Sequence, residues 1–190
     1  MSNKIIELVL LSIAFCSTLG TYPLLAQGFN GYYQHPDIHQ NTIVFVAEGD
    51  IWKVPTEGGL AQRLTTHAEE ENHPAISPDG KTIAYTATYE GPGEVYTMPL
   101  EGGVTSRSTY LGNANTVGWT PSGKLIFSTS VFNKFPEPQL VTLDLNSKTK
   151  SIVPLHRAYN GIQNEDGIWF FVHMHHHNEN VKRYQGGQAR

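Results

Sequence analysis

Cysteine is almost missing from this chain of 190 residues: Cys16 stands alone, which excludes a disulfide framework and any centre built on paired thiols. An excess of positive charge is missing too. Lys and Arg number 13 against 17 Asp and Glu, for a formal net charge of -4, so the basic stripe that nucleic acid requires is absent. The one run of like charge, Glu69-Glu70-Glu71, reads as a solvated loop. The motifs of common chemistries are lacking as well: no G-x-S-x-G, no H-E-x-x-H and no Gly-rich loop opening a helix. Ser and Thr fall in turns and strands, where local hydrogen bonding accounts for them. The sequence therefore assigns no catalytic residue and no cofactor-binding residue, and no cofactor is expected.

The first two dozen residues differ from the rest. Lys4 precedes the apolar run Leu8-Val9-Leu10-Leu11-Ser12-Ile13-Ala14-Phe15, and Leu24-Leu25-Ala26-Gln27 supplies a cleavage site. This is the layout of a secretory signal over residues 1–26, and it predicts an exported chain, periplasmic or secreted, free of the membrane once cleaved. The rival reading is an uncleaved anchor, but the run falls short of the roughly 20 apolar residues of a span. Glu7 and Pro23 interrupt its ends, and Phe15 is too large for a lipoprotein site before Cys16.

After Ala26 no helical period is found, and a repeat takes its place. Ser77-Pro78-Asp79-Gly80-Lys81 precedes Thr82-Ile83-Ala84-Tyr85-Thr86, and Thr120-Pro121-Ser122-Gly123-Lys124 precedes Leu125-Ile126-Phe127-Ser128-Thr129. The slot returns as Gln163-Asn164-Glu165-Asp166-Gly167 before Ile168-Trp169-Phe170-Phe171-Val172, and without glycine as His39-Gln40-Asn41 before Thr42-Ile43-Val44-Phe45-Val46. Gly80 to Gly123 is 43 residues and Gly123 to Gly167 is 44. Proline presets φ at the second turn position and glycine accepts positive φ later, so these are hairpin turns with a physical cause. The β-branched and aromatic runs behind them are strands. A second strand follows each of the first three, over residues 50–54, 94–98 and 139–143, and short polar strands and the innermost strand of the next unit complete the cycle.

Four short strands in about 40 to 45 residues is the period of a β-propeller blade. The fold class is therefore all-β: an open propeller of three complete four-stranded blades and part of a fourth, over roughly 36–66, 73–109, 114–155 and 159–190 within a domain of residues 27–190. Blades bury their sheets only against one another, with Trp52, Tyr85, Tyr96, Phe127 and Trp169 as the expected packing layer. Closed rings typically take about four to eight blades, so the chain is expected to be a truncated part of a longer one.

The units resemble the PD40-type blades of TolB-like propellers, most closely at Ser77-Pro78-Asp79-Gly80-Lys81-Thr82-Ile83-Ala84-Tyr85. A narrower resemblance rests on Tyr33-Gln34-His35-Pro36-Asp37-Ile38-His39, on residues 43–52, and on Val181-Lys182-Arg183-Tyr184-Gln185-Gly186-Gly187-Gln188-Ala189. These segments resemble the opening of the six-bladed N-terminal propeller of tricorn-type serine proteases. The resemblance implies a non-catalytic segment followed by a second propeller, a PDZ domain and an S41-type serine peptidase. It also implies peptides as substrates of the parent, gated by the propellers, and a hexameric assembly. The signal segment departs from the cytoplasmic archaeal members, whose location is the alternative. A stand-alone TolB-like envelope scaffold without activity is the alternative function.

One local oddity remains, with four of the nine histidines inside residues 173–177. On an extended strand His173, His175 and His177 share a face that could take zinc, copper or nickel. A solvated loop is the competing reading, since closed sites draw ligands from separate segments and only Glu179 lies nearby.

Overall fold

Val, Ile, Thr, Tyr and Phe in short runs, punctuated by Gly- and Asp-bearing turns, favour pleated backbone that closes back on itself. The computed structural model describes residues 31–133 and 137–173, and among these strands are the only regular elements. The first sheet holds β1 (Tyr33–His39), β2 (Thr42–Ala47), β3 (Asp50–Pro55) and β4 (Gln62–Arg63). The second holds β5 (Glu71–Ile76), β6 (Thr82–Ala87), β7 (Glu94–Pro99) and β8 (Ser106–Arg107). The third holds β9 (Asn115–Trp119), β10 (Leu125–Thr129), β11 (Gln139–Leu143) and β12 (Lys150–Ile152). β13 (Asn160–Gln163) and β14 (Trp169–Val172) pair in a fourth sheet. Every sheet runs antiparallel in chain order, which is the meander of an open propeller.

The turns act as expected. In Ser77–Lys81 the Gly80 N–H donates to Ser77 O at 2.8 Å, and Asp79 accepts the Ser77 hydroxyl at 2.6 Å and the Lys81 N–H at 3.1 Å. Gly80 has φ +70°, and a Cβ there would lie 3.0 Å from Cδ2 of His39. Two requirements thus coincide on one glycine: a left-handed turn position and room for a ring from the neighbouring sheet.

Period-2 alternation sends successive side chains of each strand to opposite neighbours. From β6, Ile83, Tyr85 and Ala87 join Val44, Ile51, Tyr96 and Met98 between the first and second sheets. Ala84 points the other way, into a layer with Val95, Leu125, Phe127, Val141 and Leu143. Ile126 and Leu140 in turn meet Val153, Ala158 and the partly buried Trp169 between the third and fourth. Each fully buried large side chain contributes about 1.5–3 kcal/mol, and Tyr85 and Phe127, both at 0% exposure, sit at the centres of two layers. The expected aromatic layer is thus fully buried only at Tyr85, Tyr96 and Phe127; Trp52 on the first sheet and Trp169 on the two-stranded fourth sheet are half-buried.

Two sequence expectations are revised here. β1 opens at Tyr33 and not at Pro36, because Tyr33 packs edge-on against Phe45 at 5.2 Å and the strand continues across a bulge at His35 and Pro36. Glu71 is not part of a solvated loop: it begins β5 opposite Ala87 and is 1% exposed, while Glu69 and Glu70 are exposed.

Candidate functional site in the axial groove

The first strand of each sheet is its innermost, and β1, β5, β9 and β13 pack as successive neighbours about a common axis. They leave a groove of about 380 Å³ between them. Its apolar wall is made by Pro36, Pro74, Val117, Trp119 and Ile162; its polar groups are His35, Asp37, His73, Thr116 and Asn160.

Local sequence explains how these groups come to face the axis. β1 and β5 carry the same step, Gln34-His35-Pro36 and Asn72-His73-Pro74, and in each the pairing register shifts across it. Proline has no N–H to give the ladder, so a bulge is where it is tolerated. His35 and His73 take left-handed φ of 48° and 50° at these bulges. Their rings then meet with centroids 4.0 Å apart and planes tilted by 36°. Asn72 Oδ1 lies 2.7 Å from His73 Nδ1, and loss of solvent, followed by the neighbouring His35, holds the His73 imidazole below its ordinary pKa. Asp37 ties the two sheets by accepting the Ile76 N–H at 2.7 Å, and Trp119 Nε1 donates to Ala75 O at 3.0 Å. The groove is therefore a braced, pre-formed surface.

A second hollow, of about 460 Å³, lies among the turns around Asp79, Lys124 and Asp144. Its two carboxylates serve their own turns. Asp79 is held below its usual range by the Ser77 hydroxyl and the Lys81 N–H, and Asp144 by the backbone N–H groups of Ser147 and Asn146. Such satisfied side chains leave little to offer a ligand.

Of the histidines singled out in the sequence, His173 follows β14, is exposed, and makes an edge contact with Phe171 at 6.3 Å. His175 and His177 lie outside the described residues. Among the described residues no three His, Cys, Asp or Glu side chains come together as a metal site. The groove histidines were passed over in the sequence, although the repeated His-Pro after a carboxamide residue was their visible signal.

The groove-bearing segment matches, over residues 30–190, the family model of the tricorn protease N-terminal beta propeller domain. The chain belongs to this family. Tricorn protease homolog 1 of Streptomyces coelicolor is 37% identical over 97 residues, half of this chain and 9% of that protein. A tricorn-like protease N-terminal subunit of Sulfurisphaera tokodaii is 33% identical over 129 residues, 65% of this chain and 66% of that one. The chain thus spans under a tenth of the first relative and about two thirds of the second. Among solved structures, the tricorn protease superposes with a TM-score of 0.66 at 24% identity, over 74% of this chain and 15% of that one. TolB of Acinetobacter baumannii gives 0.65 at 22% identity, over 76% and 38%. Likeness at that identity is a likeness of fold. It agrees with the tricorn-type propeller expected from the sequence.

Proposed function

We propose that this chain is the non-catalytic propeller region of an exported tricorn-like serine peptidase, in which a catalytic domain carried elsewhere cleaves short peptides and this region shapes their passage. The observation that carries the reading is the open, braced groove along four innermost strands in a segment that matches the tricorn propeller family. A wall of proline, Val117, Trp119 and Ile162 with a few polar groups suits extended peptides of mixed sequence. In this reading the partners are a second propeller, PDZ and S41-type peptidase domains in a hexameric assembly, and the signal over residues 1–26 directs export to the periplasm or beyond.

The test is peptide hydrolysis by the full-length protein with the groove narrowed by Asn160→Trp. Slower kcat/KM for tetrapeptides and longer substrates, with single-residue chromogenic substrates unaffected, is expected. Equal effects on both would contradict a role in passage. Absence of all hydrolysis, with envelope proteins captured instead, would favour a TolB-like scaffold. For export, N-terminal sequencing of the mature protein is expected to begin at Gln27, and an intact Met1 on cytoplasmic protein would contradict it.

A further inference from the structure

The first two sheets differ at one buried point where the repeat would have them alike. In the second sheet the Thr109 hydroxyl donates to Glu94, the acid of the third strand, and accepts the Val95 N–H at 2.8 Å. In the first sheet Thr65 accepts the Ile51 N–H at 2.8 Å, but its hydroxyl is turned to Glu71 at 2.9 Å. Asp50, the counterpart of Glu94, is 4% exposed, and its Oδ1 is buried with no partner among the described residues. Glu71 stands where the second sheet has a methyl group: its N–H donates to Gly49 O as that of Ala114 does to Gly93 O, both at 2.8 Å, and both residues are buried. The first sheet thus encloses two carboxyls around one threonine, with the guanidinium of Arg63 bonded to Asp50 alone. Two carboxylates so placed resist ionising together. The other groups facing Glu71 are His67 of the loop before β5, Tyr85 of β6 and Tyr89 just after it, while Glu48, Glu69 and Glu70 on the neighbouring turns are exposed acids.

We propose that Asp50, Thr65 and Glu71 form a proton-operated latch at the seam of the first two sheets. With Glu71 protonated, its carboxyl donates to Thr65 Oγ1, and the Thr65 hydroxyl hydrogen turns to Asp50 Oδ1, the arrangement that Thr109 and Glu94 show. With Glu71 ionised, the hydroxyl turns back to Glu71 and Asp50 Oδ1 is left as an unmet buried acceptor, which is costly. One proton, exchanged with solvent, separates the two states. Burial favours the protonated one and raises the Glu71 pKa above its ordinary value, and Asp50 adds to the rise. The latch is therefore closed at low pH and loosens as pH rises through the folded value. What it loosens is the loop of residues 66–70 and the start of β5, which leads within two residues to His73 of the groove wall.

Titration of the whole chain from about pH 4 to pH 8, followed by NMR of the side-chain carboxyl carbons and by amide exchange, reads both states. The Glu71 carboxyl is expected to titrate above pH 4.5, with the Asp50 carboxyl shifting at the same midpoint. Protection of the Ile51 and Glu71 amides is expected to fall about tenfold across that midpoint, the ratio that a displacement of one pH unit supplies. Val95 and Ala114, their counterparts in the second sheet, are expected to keep theirs. Thr65→Ser retains the hydroxyl and is expected to preserve the coupling, whereas Thr65→Val is expected to leave Glu71 titrating and Asp50 silent. Glu71→Gln is expected to keep Ile51 protected throughout. Titration of Glu71 at or below pH 4.5 overturns the latch, and so does an Asp50 signal that follows Glu71 equally in Thr65→Val and in the unsubstituted chain. Equal loss of protection at Val95 and Ala114 also overturns it, in favour of a general loss of stability.

Discussion

Glu71 carries the clearest consequence of a single buried charge. Its backbone N–H donates to Gly49 O at 2.8 Å, while its carboxylate accepts from Tyr89 OH at 2.6 Å and Thr65 Oγ1 at 2.9 Å, joining the first two sheets. Among the described residues no Lys or Arg pairs with it. Desolvation raises its pKa above 4.5, with the two hydroxyls only partly opposing, Asp50 adding to the rise and the neighbouring His67 opposing it only weakly. Tyr89 in turn is pushed far above the ordinary phenol range, first by burial and then by its bond to Glu71. Because the folded value exceeds the unfolded one, the folded state holds the extra proton above pH 4.5, and stability is lost as pH rises through the folded pKa. Glu71→Gln keeps an acceptor without the charge. It is expected to raise Tm by about 2–4 °C at pH 8, the shift that about 1 kcal/mol gives at this chain length, and to leave Tm unchanged near pH 4; calorimetry reads both, and a fall at pH 8 would contradict the account. The sequence could not reveal this residue, since a run of three glutamates does not show which of them a strand will carry inward. Gly80 is the opposite case: its turn signature was legible, though the His39 ring above it was not.

At the level of elements, the first two sheets share a device that repeats every 44 residues. Asp50, Arg63 and Thr65 recur as Glu94, Arg107 and Thr109. In each, arginine on the outer strand bonds the acid on the third strand. The arginine Nε donates to the threonine carbonyl at 2.9 Å, and the threonine hydroxyl accepts the next backbone N–H, of Ile51 or Val95, at 2.8 Å. Short outer strands such as β4 and β8 have few ladder bonds of their own, so the clamp fixes them and the chain leading to the next sheet. Glu94 accepts also from Thr109 Oγ1 and from the N–H groups of Leu111 and Gly112. Glu94→Ala strands all these donors and is expected to cost about 3–5 kcal/mol in urea unfolding. The third sheet has Gln139 at this place, and its buried Oε1 has no partner among the described residues. Gln139→Met is expected to be neutral or to stabilise by about 1 kcal/mol; substantial destabilisation would show that an unseen partner satisfies it. The turns and strand order of these units were legible because Pro, Gly and β-branched residues each act locally. The clamp was not, because single Asp, Arg and Thr residues far apart in sequence carry no local preference.

For the whole molecule, position in the arc decides what a side chain is worth. Sheets two and three are covered on both faces, whereas Ile38 of the first sheet and Phe170 of the fourth are 62% and 58% exposed. Phe127→Ala, between the second and third sheets, is expected to cost about 3–5 kcal/mol, and Trp52→Ala, half-buried on the first sheet, clearly less. Comparable losses would mean that the sheets do not stack in this order. The period of 43 to 44 residues made this arrangement visible beforehand, but the meeting of two His-Pro bulges across an axis depends on how sheets turn relative to one another, which no linear spacing encodes. The central claim is that consecutive four-stranded sheets cover each other's apolar faces around that axis. Native-state hydrogen exchange tests it most directly. The slowest amides are predicted in β6, β7, β10 and β11, with β4, β8 and the β13–β14 pair exchanging faster; slowest exchange in β13–β14, or protection without a maximum in the middle two sheets, would contradict it.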